Sequence, residues 1–277
     1  MEITGNILKL KATFINKNSD VSYQLPLGGE LYDCAEWIGK KVTIKFDGLI
    51  NCIDSGEVIT KSYNSGYSYK SFQKLAECDM CMTRPSLCHF AQGTCRDESF
   101  AQKHCFKPHV VYLSYTSDFK VGITRQKQVP TRFLDQGALL AKPIFIVKDR
   151  LHSGLMEDFL AKYYADKTSW KKMLGSFNQV EKGVVTEFEK NYLRISRLAQ
   201  LKNLELEGIP YDQEELLHIK YPILPEAYES KLSSYNLDKV GEVQDQLLGI
   251  KGQYLIFKGG VLNIRKYQGY HITLKVE

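Results

Sequence analysis

Long apolar runs are missing from this chain of 277 residues. None approaches the ~20 residues that a membrane-crossing helix needs, so the sequence predicts no membrane span. The first residues, MEITGNILKL, have no long apolar core and no small-residue cleavage site, so no secretory signal is expected from them. A strong net charge is also missing: 37 basic and 32 acidic side chains leave +5, and that total says little about partners. Internal repeats and low-complexity segments are absent. Aromatic and apolar residues are plentiful, at 12% and 43%, which excludes a disordered chain and permits a sizeable core. The length suits one large domain or two ordinary ones.

The small charge excess is unevenly placed. Residues 1–77 carry nine basic and nine acidic side chains, and residues 151–277 carry seventeen of each. Residues 78–150 carry eleven basic and six acidic, so the whole surplus lies there. A local basic surplus is the footprint of a phosphate-bearing partner. Scattered solubilising lysines are the plainer reading.

Five of the seven cysteines fall in the run CDMCMTRPSLCHFAQGTCRDESFAQKHC, residues 78–105. Without a secretory signal, clustered thiols point to metal more than to disulfides, and the chain is expected in the cytoplasm. Cys78 and Cys81 form a CxxC knuckle, and Cys88 and Cys95 follow after six intervening residues each. Four thiolates at that spacing can wrap one structural Zn2+ ion. Pro85 and Gly93 supply the turns. An iron–sulfur cluster and plain buried thiols are the alternatives. Cys105 and His109 form a CxxxH pair that can replace one ligand. Upstream, Cys52-Ile-Asp-Ser55 and Ser68-Tyr-Lys-Ser71 share the spacing of two knuckles, but three corners are serine, a poor zinc ligand. They read either as ordinary polar turns or as a ribbon that has lost its metal, held by hydrogen bonds and by packing of Tyr63, Tyr67 and Tyr69. No metal is expected there.

Short β-favouring runs, KLKATF, VSYQLPL and KKVTIKFDG, fill residues 5–50, and QYLIFK, VLNIRKY and YHITLKV return to β at the other end, with glycines suited to the bends of a small barrel. VVYLSY (110–115) and FKVGIT (119–124) make a hairpin. Residues 129–141 follow as a helix with Pro130 near its start, then KPIFIVK (142–148) as a strand. Leu155, Phe159 and Tyr163, four apart, mark a helix over 153–165, and a longer one lies within 178–205.

Strand, turn, strand, helix, strand, helix, carrying VVYL, KVGIT, Arg132 and Glu157, resembles the core of the GIY-YIG nuclease superfamily. The resemblance places Tyr112 beside a scissile phosphate, Arg132 on developing phosphate charge and one Mg2+ ion at Glu157. Gly122 would let backbone pass close to the substrate. Lys120 stands where the second motif usually has tyrosine, and Gln136 where it has histidine. Each residue also has a plain reading: a packed strand tyrosine, a solvated arginine, a first-turn acid. A second, narrower resemblance spans nearly the whole chain. PSLCHFAQGTCR, HVVYLSYTSDFKVGITR, PTRFLDQGA, DKTSWKKML and LLGIKGQYLIFKGGVLNIRKYQGY are similar to the prokaryotic domain-of-unknown-function family 2797. That likeness implies cysteines at the positions of Ser55, Ser68 and Ser71, and so an eroded first zinc site. It brings no established activity.

The expected fold is α+β. A small discontinuous β-domain takes residues 1–50 plus 246–277, a cysteine-rich zinc module 51–109, a GIY-YIG-like α/β core 110–175, and a helical segment 176–245. The leading functional reading is a zinc-containing protein that binds or processes nucleic acid, RNA before DNA, such as tRNA. Lys120, Arg125 and Arg132 are the expected phosphate contacts, joined by Lys167 and Trp170, where a lysine beside an aromatic can hold phosphate while a base stacks. Trp170 as a core anchor is the plainer reading. A metal-dependent phosphodiesterase using Tyr112, Arg132 and Glu157 is the second reading. A non-catalytic scaffold with an unidentified protein partner is the third.

Overall fold

The structure is a computed structural model that describes residues 1–15, 20–164, 169–200, 206–207, 215–229 and 232–277. It is mixed α+β, with three antiparallel sheets among the described residues. The chain divides into two compact units. The first takes Met1–Gln73, Leu134–Gly137 and Lys220–Glu277, and the second Lys74–Phe133 and Ala138–Ile219. These boundaries differ from the expected ones: residues 51–73 join the N-terminal strands, and the rest of the cysteine run shares a unit with the hairpin at 110–124. Among the described residues no helix is long and apolar enough to cross a membrane.

In the first unit, β1 (Glu2–Asn6), β2 (Lys11–Phe14), β3 (Val21–Leu27), β4 (Glu30–Asp33), β5 (Lys41–Asn51) and β6 (Val58–Ile59) precede helix α1 (Tyr69–Lys74). β2, β3 and β4 form a small sheet of their own. The C-terminal strands β12 (Glu242–Lys251), β13 (Tyr254–Phe257), β14 (Val261–Asn263) and β15 (Tyr270–Val276) follow the short helix α7 (Leu237–Val240) and pair with the first strands in the order β1-β15-β5-β12-β13-β14. β15 alternates strictly: Tyr270, Ile272, Leu274 and Val276 are buried, and Lys275 between them is exposed. Lys275 lies opposite Glu2 in register and pairs with it at 3.2 Å. The strand from the end of the chain thus lies between two from its start.

The second unit is built on the order β10-β9-β7-β8, with β11 also pairing β9. Its strands are β7 (His109–Tyr115), β8 (Phe119–Arg125), β9 (Leu140–Val147), β10 (Leu206–Glu207) and β11 (Leu217–His218). All seven residues of β7 are buried, as an apolar run flanked on both edges requires. The helices are α2 (Glu98–His104), α3 (Thr131–Asp135), α4 (Arg150–Leu160), α5 (Trp170–Gly175) and α6 (Val184–Gln200). α3 is much shorter than the expected 129–141, because Gly137 takes φ 69° and Leu140 already begins β9. α4 begins three residues before the expected start, where the Asp149 carboxylate accepts the His152 N–H at 2.9 Å. Its buried side is Ser153, Gly154, Met156 and Leu160, one position off the Leu155–Phe159–Tyr163 stripe. Small residues at 153 and 154 let the helix approach its neighbours more closely than the leucine stripe would.

One buried charge in the first unit has a stability consequence. Lys251, at the end of β12, has no exposed surface, and its Nζ lies 5.5 Å from the Tyr221 ring centre. Burial pushes its ammonium down to about 7 from its ordinary 10.5. The unfolded chain therefore binds a proton that the folded chain loses between those two values. Folding is penalised below pH 7, and the penalty fades as pH rises towards 10.5. Lys251→Met is expected to be more stable than wild type at pH 7, with the gap narrowing towards pH 10, when urea midpoints are compared.

Candidate metal centre

The clustered cysteines lie on a succession of single turns, Ala76–Cys78, Met80–Met82, Pro85–Leu87 and Phe90–Gln92, that leads into α2. Local chemistry sets each reversal. The Asp79 carboxylate accepts the Cys81 N–H at 3.1 Å, Pro85 opens the third turn, and Gly93 closes the fourth at φ 70°. Repeated reversal turns side chains towards a common pocket lined by Asp79, Cys81, His89, Cys95, Arg96 and Cys105. Ligand atoms of Asp79, Cys81 and His89 all lie within 4.8 Å of one another. Arg96 Nε approaches Asp79 Oδ2 at 2.8 Å, and His89 Nδ1 lies 2.7 Å from Thr94 Oγ1.

The thiols crowd one another. Burial, then the Asp79 carboxylate, then the thiols of Cys88 and Cys105 push Cys81 up to about 12. Burial also raises Cys105, helped by Cys88 and Cys95 and opposed by Arg150 and Arg125. Cys81, Cys88, Cys95 and Cys105 are therefore one electrostatic neighbourhood. Crowded thiols hold their protons in the absence of a cation, and a bound dication inverts that preference. Three or four thiolates with a nearby imidazole are a donor set that suits zinc. Cys105, the alternate ligand, lines the pocket because α2 carries the chain back past the earlier turns. Cys78 is buried, at 7% exposure, inside the first turn. Asp79 and His89 were not among the expected ligands, although each adjoins a cysteine of the motif. His109, the other alternate, opens β7 with no exposed surface. Its Nδ1 lies 2.7 Å from the Lys107 carbonyl, its Nε2 is buried without a hydrogen-bond partner, and burial lowers it to about 4.

The residues singled out by the nuclease resemblance lie on β7, β8, α3 and α4. Tyr112 is fully buried in β7, its ring 4.7 Å from that of Phe133. A Cβ on Gly122 would meet the Tyr112 ring at 2.6 Å, so glycine there makes room for the tyrosine. The expectation that Gly122 opens backbone to a substrate gives way to this packing. Arg132 is half-buried on α3. Glu157 sits late in α4, not in its first turn, and its charge bears on Arg150. Lys120 is buried at 8% exposure, opposite Ser114 in the hairpin. Arg125 touches His104 Nδ1 and is 3.4 Å from Gln128 Oε1. Trp170 is half-buried at the start of α5 under Lys171, and Lys167 lies outside the described residues.

Residues 39–272 match the family described as protein of unknown function (DUF2797). The chain belongs to this family. No curated protein and no solved structure matches.

This family member also has a second four-cornered cluster, in the first unit. The Cys52 sulfur accepts the Ser68 N–H at 3.2 Å and lies 3.5 Å from Ser71 Oγ. Ser68 Oγ and Ser71 Oγ are 3.2 Å apart, and Ser71 Oγ donates to Asp54 Oδ2 at 2.7 Å. Around this knot Tyr63 and Tyr67 exchange backbone hydrogen bonds, and the Tyr63 and Tyr69 rings lie 5.1 Å apart. Burial disfavours the Cys52 thiolate, but donors from Ser55, Ser71 and Ser68 outweigh it and bring the thiol down to about 6 from its ordinary 9.0. The stabilisation of the folded state is complete above pH 9 and lost as pH falls through 6. Cys52→Ala is expected to lower the urea midpoint more at pH 9 than at pH 6.

Proposed function

We propose that the chain is a cytoplasmic nucleic-acid-binding protein whose cysteine segment is organised by one structural zinc ion, and that it takes structured RNA before DNA. Cys81, Cys88, Cys95 and Cys105 would hold the ion, with His89 and Asp79 beside them. The observation that carries the reading is the surface next to this centre. Arg84, Lys103, Lys107 and Lys127 are all exposed and lie within the one part of the sequence that has a basic surplus. Such side chains contact phosphate and set affinity without reading bases. The buried Lys120 is replaced by these residues as the phosphate contact, and Arg125 is engaged with His104.

A metal-dependent phosphodiesterase with Mg2+ at Glu157 has weaker support. A tyrosine beside a scissile phosphate must present its hydroxyl, and Tyr112 has no exposed surface. A protein-binding role for the same segment is favoured by exposed Met80 and Leu87, at 64% and 50%. A pull-down that returns one stoichiometric protein and no nucleic acid would support that alternative.

Two measurements test the main reading. Untagged protein should contain about one zinc per chain. Cys105→Ser should lose it and Cys78→Ser should keep it, by elemental analysis. Binding to a folded RNA should weaken steeply between 50 and 200 mM salt, as released counterions require. The Lys103→Ala/Lys107→Ala/Lys127→Ala variant should flatten the logarithmic salt slope by roughly 0.9 for each contact removed. A salt slope unchanged in that variant would remove this surface from the site.

A further inference from the structure

The cysteine pocket has cationic side chains brought to it from distant parts of the second unit. Arg150 is the first residue of α4, 45 positions beyond Cys105 in the sequence. Its backbone N–H donates to the Cys105 carbonyl at 2.9 Å, and its Nη2 donates to the Met82 carbonyl. The guanidinium thus reaches between the turn that carries Cys81 and the residue that ends α2. Among the described residues its buried Nε–H has no hydrogen-bond partner. A buried, unused donor on a charged group is costly, and native structures rarely leave one. Arg125 approaches from the end of β8 and touches the imidazole of His104, the residue before Cys105.

The charges explain the arrangement. A zinc ion held by three or more of the pocket's anionic donors, Asp79, Cys81, Cys95 and Cys105, retains surplus negative charge. A partly buried anion of that size needs compensation from fixed cations. Two guanidiniums supply it. The donor that Arg150 leaves unused is of the kind that hydrogen-bonds a metal-bound sulfur, and outer partners of this kind strengthen metal binding.

We infer that Arg150, assisted by Arg125, is the built-in counter-charge of a thiolate-rich metal centre and ties that centre to helix α4. The inference rests on the zinc reading above. Arg150 is a positioning residue: it holds no metal itself.

The test uses the full chain loaded with Zn2+ or Co2+. Zinc affinity is read by competition with a chromophoric chelator, and cobalt absorption reports the ligand set. Arg150→Met should bind zinc about 10- to 100-fold more weakly than wild type, the range found when outer partners of a metal site are removed. Its cobalt visible bands should keep the wild-type shape, because the ligands are unchanged. Arg150→Lys should recover part of the loss, since it restores charge without the Nε–H. Arg125→Met should also weaken zinc, and it carries the test if Arg150→Met fails to fold. Zinc affinity within twofold of wild type in both methionine variants would overturn the counter-charge. A change in cobalt band shape in Arg150→Met would overturn its role as a positioning residue. A wild-type chain that takes up neither metal overturns the zinc reading itself, and that result is distinct from the other two.

Discussion

The close approach of α4 to the turn at Pro85–Ser86 is the contact on which the cysteine segment depends. A Cβ on Gly154 would lie 2.7 Å from the Pro85 carbonyl carbon, so only glycine lets the helix seat there. Residues 76–92 contain only single turns, and such a segment has little regular backbone pairing to hold it. Helix α4 fixes it at two places: Gly154 against Pro85–Ser86, and Arg150 against Met82 and Cys105. The same helix packs on β7, β8 and β9. The sheet of the second unit therefore positions the thiols through one short helix.

Within this unit the basic side chains have two placements, although not strictly by type, since Arg84 is exposed and Lys120 is buried. Arg96, Arg125 and Arg150 turn towards Asp79, His104 and the thiols, while Lys103, Lys107 and Lys127 face solvent. Guanidinium geometry favours the first task, because its planar fork holds several fixed donors and its charge persists on burial. The ammonium of lysine is more strongly hydrated and stays outside at lower cost. A segment that looks uniformly basic in sequence thus carries an inner and an outer set of charges.

The two sulfur-containing clusters show the same electrostatic rule with opposite results. Around Cys52 the neighbours are hydroxyl and N–H donors, which favour a single thiolate without any ion. Around Cys81 and Cys105 burial and neighbouring thiols, with the Asp79 carboxylate beside Cys81, disfavour ionisation, and at Cys105 Arg150 and Arg125 oppose them. With serine at three corners, the cluster satisfies its single thiol through its own hydrogen bonds.

The sequence by itself determined the strands at both ends, the β7–β8 hairpin, the turn-rich character of residues 76–108 and the family. Each is written in local pattern: strict alternation in YHITLKV, an unbroken apolar run in VVYLSY, and closely spaced Cys, Pro and Gly in the middle. The order of elements gave no access to side-chain direction. Tyr112 and Gly122 looked like an open site and prove to be packed on each other, because a strand motif does not say which face is covered. Helix periodicity pointed to Leu155, whereas docking selected Gly154 and Met156. The place of Cys105 in the pocket lining, and the arrival of Arg150 beside that residue, were decided only by tertiary structure. Both depend on contacts between segments distant in sequence, and no local pattern records how far a later helix carries the chain back.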